Sequence, residues 1–220
     1  MRAQYHEELD YLGELLVEMT HLAGSALNRA TTALLDADLT LAESVIASDE
    51  LLNMRSRELG DRAVELLARQ QPVASDLRTI IAALTMNDHL ERMGDLAAHV
   101  AKTARLRYPE SAAYPEVREL ILRMGQVAQR IVEKVGTTIA TRDVHAAAEV
   151  RHDDDEMDQL HRRLFAVMLD PGWPHGVEAA IDVTLLSRFF ERYADHAVSV
   201  AQQVIFVVTG EMVVNPGGRH

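Results

Sequence analysis

Met86-Asn87-Asp88-His89-Leu90-Glu91-Arg92-Met93-Gly94-Asp95-Leu96-Ala97 returns, 100 residues later, as Leu186-Ser187-Arg188-Phe189-Phe190-Glu191-Arg192-Tyr193-Ala194-Asp195-His196-Ala197. The apolar members continue the pattern beyond these stretches. Met86, Leu90, Met93, Ala97, Val100 and Ala104 alternate spacings of four and three, and Leu186, Phe190, Tyr193, Ala197, Val200 and Val204 repeat them. That spacing is the seam of a helix packed in a bundle. Each copy also carries two acidic residues four apart, Glu91 with Asp95 and Glu191 with Asp195. Residues four apart lie nearly above one another on a helix, so each copy presents two carboxylates to one hard cation.

Working outward, apolar residues recur at helical spacing almost everywhere, and alternating runs with hairpin turn pairs are absent. The chain reads as all-helical. Helix one is expected over Arg2 to Leu35, ended by Asp36-Ala37-Asp38, and helix two over Leu39 to Ala68, ended ahead of Pro72. Helix three is expected to start with Ser75 as its N-cap and Asp76 in its first turn, and to run to Arg107. Tyr108 to Pro115, with a proline near each end, divides the chain nearly in half. Helix four then covers Glu116 to Ala140 and helix five Val144 to Leu169. After the break Asp170-Pro171-Gly172-Trp173-Pro174, helix six covers Gly176 to Thr209.

The halves correspond element by element, which marks an internal repeat. Asp38 to Glu43 matches Asp143 to Ala148 at an offset of 105, against 100 for the acidic signatures, so the second proline loop is shorter. Long helices joined by short turns pack most simply as antiparallel three-helix bundles. The expected fold is two tandem bundles, 1–108 and 115–210, related by a pseudo-twofold axis, with a disordered tail at 211–220.

Composition narrows the function. There are 34 acidic against 22 basic residues, a net charge of −12, and no basic stripe offsets it. Nucleic acid is therefore not an expected partner. No cysteine is present, which excludes disulfides, thiolate metal sites and cysteine nucleophiles and fits a reducing compartment. The first residues carry charge where a signal peptide needs an apolar stretch, and no segment reaches the ~18 apolar residues of a membrane span. A cytoplasmic location is expected.

On a helical wheel Glu91, Asp95, Glu191 and Asp195 stand well away from the centre of their apolar stripes, and are expected on an exposed face. One such pair would ordinarily be part of a solvated face on which Glu91 pairs with a neighbouring Arg or Lys, worth a few tenths of a kcal/mol. Two copies in one phase point further. Helices two and five add Asp49 with Asn53 and Asp154 with Asp158 at the same spacing. If helix two lies beside three and five beside six, each bundle offers four side-chain oxygens suited to magnesium, calcium, manganese or iron.

Of the ten histidines, His89, His99, His152 and His196 lie near these pairs, but no HxxxH or HExxH occurs. His196, directly after Asp195, is the best auxiliary ligand. Asp88, one turn before Glu91, widens the first site but meets Arg188 as its counterpart. Arg92 and Arg192 are expected in salt bridges toward a bundle neighbour. No glycine-rich phosphate cradle, GxSxG elbow or Ser/His/Asp arrangement is present.

Several segments now match one family. Arg69-Gln70-Gln71-Pro72-Val73-Ala74-Ser75-Asp76-Leu77-Arg78 resembles the R-Q-P-x-A-x-D-L-R entry to the third helix of PhoU proteins. Leu90-Glu91-Arg92-Met93-Gly94-Asp95 resembles their L-E-R-I-G-D, and Phe190 to Asp195 its second copy. Val45 to Asn53 is similar to V-I-x-x-D-x-x-x-N, and Asp154 to Asp158 to D-x-x-x-D. The likeness runs from helix one to about Thr209.

This resemblance implies two three-helix bundles with E/D-x-x-x-D metal sites at Asp49, Asn53, Glu91, Asp95, Asp154, Asp158, Glu191 and Asp195. It leaves the metal open among iron, manganese, magnesium, zinc and calcium. It further implies a non-enzymatic negative regulator that links the ATPase subunit of a phosphate transporter to a sensor histidine kinase, as a homodimer that meets the membrane only through those partners. Two departures stand out: Tyr193-Ala194 replaces Ile-Gly, and His99 and Ser199 stand where Asn is common. A methyl at Ala194 beside Asp195 is expected to alter the second site. The rival reading is a carboxylate-bridged, metal-dependent hydrolase on a helical bundle.

Overall fold

A computed structural model describes residues 2–211, with side chains from Tyr5 onward. It contains six helices: α1 Arg2–Asp36, α2 Leu39–Gln70, α3 Ala74–Arg107, α4 Pro115–Thr141, α5 Val144–Met168 and α6 Gly176–Thr209. The described residues hold no strand. The tail expected at 211–220 lies, except for Glu211, outside the described residues.

The breaks arise where the sequence placed them. Asp38 caps α2 by accepting from the Leu41 amide at 2.9 Å, and its repeat partner Asp143 caps α5 by accepting from the amides of His145 and Ala146. Gln71 and Arg142 end α2 and α4 in the left-handed conformation. One cap differs from expectation. Val73 precedes α3 and makes no side-chain cap, while Ser75 lies inside the first turn. The extended backbone required before the helix falls at Val73, directly after Pro72, so Ser75 comes too late to serve.

Helices α1, α2 and α3 pack as one three-helix bundle and α4, α5 and α6 as the other. The bundles join side by side, α1 against α4 and α3 against α6, so a single apolar core runs through both. Two contacts expose the pseudo-twofold axis. A Cβ on Gly136 would stand 2.6 Å from Thr20 Oγ1, and one on Gly125 would stand 2.8 Å from Thr31 Cγ2. Residues 20 and 31 correspond to 125 and 136 at the 105 offset, so these are one contact seen twice. Small residues on both helices let α1 and α4 approach closely.

Helices α3 and α6 cross antiparallel under the same symmetry. Arg78 near the start of α3 donates to the Val207 carbonyl near the end of α6 at 3.1 Å, and Arg107 reaches Glu178 at 2.6 Å at the opposite ends. The crossing falls near Met93 and Tyr193, inside the two signatures, both fully buried. Among the described residues no helix is long and apolar enough to cross a membrane.

Candidate functional site

Because α3 touches α1, α2 and α6, its buried arc is much wider than one stripe, and Asn87, Gly94, Leu96 and Ala98 are buried beside the seam residues. Glu91 and Asp95 are therefore half-buried and not on the fully exposed face that the helical wheel predicts; on α6 Glu191 is half-buried too, while Asp195 is exposed as expected. Asp49, Asn53, Glu91, Asp95, Asp154 and Glu191 are half-buried, while Asp158 and Asp195 keep an exposed edge. They sit along two seams, α2 against α3 and α5 against α6.

In the first seam Gly94 lets α2 press close. A Cβ there would stand 3.2 Å from Asp49 Oδ1 and 2.9 Å from Leu52 Cδ2. Asn53 donates to Asp49 Oδ2 at 3.4 Å, and its Oδ1 is buried with no partner among the described residues. Burial, and then the charge of Asp95, push the Asp49 carboxyl above the usual carboxylate range, while the Asn53 bond opposes the shift. Asp95 itself lies 3.3 Å from Arg92 of its own helix. Arg92 thus pairs within α3 and not with a bundle neighbour. Glu91, one turn earlier, makes no hydrogen bond or ion pair among the described residues.

The second seam is more acidic. Burial, followed by the charges of Asp195, Asp158, Asp155 and Glu191, pushes the Asp154 carboxyl up to about 7. Burial and Glu191 push Asp195 up to about 6 against the pull of Arg188. Arg188 also forms a short ion pair with Glu191. The residue that removes the acidic counterpart of Asp88 thus supplies a local counter-charge.

Each seam carries a further polar contact that the sequence reading missed. Asn87 of α3 donates to Ser56 Oγ of α2 at 3.0 Å, and Ser187 of α6 meets His161 Nδ1 of α5 at 2.7 Å. These are the same positions in the two repeats, at offsets of 100 and 105. Along α5, Asp154, Asp158 and His161 form one row facing Asp195, Glu191 and Ser187 of α6.

His196 does not serve its neighbour Asp195. It turns toward the other bundle, with Nδ1 3.0 Å from Nδ1 of His89. Burial lowers the basicity of both rings, and His89, Arg192 and Arg92 help bring His196 down to about 4, while Asp88 opposes the shift at His89. His99 stacks on Phe189 at 5.2 Å between ring centres, across the same crossing. His152 lies exposed, 3.5 Å from Asp155.

Among the described residues no three His, Asp or Glu side chains converge on one point. The donor set nonetheless fits a hard cation in kind. Asn53 offers a buried oxygen without a partner, and Asp154 is hemmed in by like charges with no ion-pair partner among the described residues. Cavities of about 190, 260 and 50 Å³ are lined by other residues, so the acidic groups occupy open seams and not these pockets.

Comparison with known proteins bears on this arrangement. The family model described as PhoU domain matches residues 16–104 and again 121–204, one match on each bundle. Phosphate-specific transport system accessory protein PhoU homolog 1 of Mycobacterium leprae is 50% identical over 222 residues, covering 100% of both chains. Homolog 2 of Mycobacterium tuberculosis is 51% identical over 210 residues, covering 96% of this chain and 99% of its own. The crystal structure of PhoU from Pseudomonas aeruginosa superposes with a TM-score of 0.85 at 31% identity, over 94% of this chain and 100% of that one. A phosphate transport system regulatory protein PhoU from Streptococcus pneumoniae shares the fold, with a TM-score of 0.84 at 23% identity over 96% and 100%. With two matched repeats, two duplicated seams and relatives alike from end to end, this chain belongs to the PhoU family.

Proposed function

We propose that this chain is an accessory and regulatory protein of phosphate transport, a cytoplasmic and non-enzymatic adaptor. In this reading it docks on the transporter's ATPase subunit and on a sensor histidine kinase, as a homodimer, and keeps phosphate uptake and the starvation response silent when phosphate is plentiful. The observation that carries the reading is identity of 50% along the full length of a relative named for the phosphate-specific transport system.

The two seams are its metal sites in this reading. Asp49, Asn53, Glu91 and Asp95 would hold one ion, and Asp154, Asp158, Glu191 and Asp195 the other. Oxygen donors of this kind suit magnesium, calcium, manganese or iron, and His161 beside the second set also admits zinc. A bound ion supplies fixed positive charge that relieves the repulsion between Asp154 and Asp195. Loading requires Glu191 to leave Arg188 and the side chains to close inward. The metal then tunes the surface that partners or a second copy meet.

Deleting the gene for this chain should derepress phosphate-uptake genes in phosphate-rich medium. Unchanged reporter expression, in a strain with no paralogue, overturns the regulatory reading. Cross-linking and pull-down from phosphate-fed cells should recover the ATPase subunit and the kinase, and recovery of neither removes the adaptor. Elemental analysis of untagged protein tests the metal separately.

A further inference from the structure

We propose that His89 of α3 and His196 of α6 form a two-imidazole site for a borderline transition-metal cation, of the Zn²⁺, Ni²⁺ or Cu²⁺ class, that staples the two bundles at their crossing. The two Nδ1 atoms face each other at 3.0 Å, with ring centres 5.2 Å apart and planes inclined by 46°. Two imidazole nitrogens bound at 2.0–2.1 Å to one cation stand about 2.9 Å apart at a right angle and about 3.3 Å at the tetrahedral angle, a range that brackets the observed separation. The protein already holds them at that bite.

Without a cation, one Nδ1–H donates to the other Nδ1. To accept a cation, the donor ring moves its proton to Nε2, leaving a lone pair on each Nδ1, and the two rings turn so that both lone pairs meet beside the line joining the nitrogens. Two protein ligands leave the remaining positions to water, so the site chooses by nitrogen affinity, in which Cu²⁺, Ni²⁺ and Zn²⁺ exceed Mg²⁺ and Ca²⁺. Nearby charge is divided: Asp88 attracts a cation and Arg192 repels it, while Arg92 is shared with Asp95 at 3.3 Å.

The site is separate from the carboxylate seams. Those lie within each bundle, between α2 and α3 and between α5 and α6, whereas the histidine pair spans the α3–α6 interface that joins the bundles. Its counterpart under the pseudo-twofold axis would pair residue 96 with residue 189. These are Leu96 and Phe189, so among the described residues the α3–α6 crossing carries one such pair and not two.

The test is calorimetric titration of Zn²⁺ into the metal-stripped full chain in excess Mg²⁺. A Zn²⁺ event is expected that is at least tenfold weaker in His89→Gln and in His196→Gln and retained in Glu191→Gln/Asp195→Asn, distinct from any Zn²⁺ taken up by the carboxylate seams. Zn²⁺ should also raise the melting temperature of the parent protein but not of either histidine variant. A second measurement stands even if those variants misfold: one equivalent of Cu²⁺ on the parent chain should show two imidazole nitrogens by electron paramagnetic resonance. The inference is overturned by no event, by Zn²⁺ uptake that neither histidine variant weakens, by uptake lost only with the carboxylates, or by a Cu²⁺ spectrum with fewer than two nitrogens.

Discussion

Gly94 of α3 and Leu52 of α2 approach so closely that a Cβ on residue 94 would stand 2.9 Å from Leu52 Cδ2, and 3.2 Å from Asp49 Oδ1. In the second repeat the corresponding positions carry Ala194 and Met157, both fully buried. The departure from glycine is therefore matched on the facing helix, where an unbranched, pliable side chain replaces a branched one. The repeats exchanged a pair of residues, not one.

Gly94→Ala should consequently destabilise the protein by about 1–3 kcal/mol through overpacking, although alanine is the better helix former. Adding Leu52→Met should recover most of the loss. Equilibrium denaturation of the single and double variants measures both, and an additive double variant would show that the two sites do not couple.

Asp154 makes stability depend on pH. In the unfolded chain its proton leaves near 3.9, while in the folded protein it is held to about 7. The raised folded value makes ionisation a penalty that is absent below about pH 4, grows through pH 5 and 6, and is complete above pH 7. In chelator at pH 8, Asp154→Asn should therefore stabilise by about 1–2 kcal/mol after allowance for partial exposure, and the gain should shrink toward pH 5. Equal melting temperatures at pH 8 would refute this. Under the metal reading, added Mn²⁺ reverses the ranking, because the parent chain then gains a ligand-bound state that the variant lacks.

Much of this was legible in the residues. Six helices, their breaks and the two-bundle repeat follow from apolar spacing, from Asp38 and Asp143 as caps, and from Pro72, Pro109 and Pro115. The adjacency of Asp49 to Asp95, and of Asp154 to Asp195, follows once each bundle closes. What a single helical wheel cannot give is the packing of bundle against bundle. That packing widens the buried arc of α3 and turns His196 from Asp195 to His89, whereas the carboxylates are partly covered within each bundle, by the α2–α3 and α5–α6 seams. The Ser56 to Asn87 and His161 to Ser187 contacts were hidden because the two repeats use different residues for one contact.

Tyr193 occupies the position of Met93, fully buried, and its hydroxyl has no hydrogen-bond partner among the described residues. Burial alone pushes that phenol far above its ordinary value. An orphaned hydroxyl forfeits its bonds to water with nothing in return. Tyr193→Phe should be neutral or stabilising by about 1 kcal/mol, seen as a melting temperature raised by about 2–4 °C. A clear loss of stability would reveal a partner for the hydroxyl in solution.

Arg107 closes one end of the α3–α6 crossing by reaching Asp182 at 2.5 Å and Glu178 at 2.6 Å. These two acids are not equivalent. Asp182 is 6% exposed, whereas the Glu178 side chain is 79% exposed. Removing Asp182 leaves a guanidinium held against the protein with only a solvated partner, and Asp182→Ala should cost about 2–4 kcal/mol. Glu178→Ala should cost less than about 0.5 kcal/mol, because water screens that pair. Denaturant midpoints of the two variants separate the cases. If Glu178 proves the costlier loss, the ion pair with Asp182 does not hold the bundle interface.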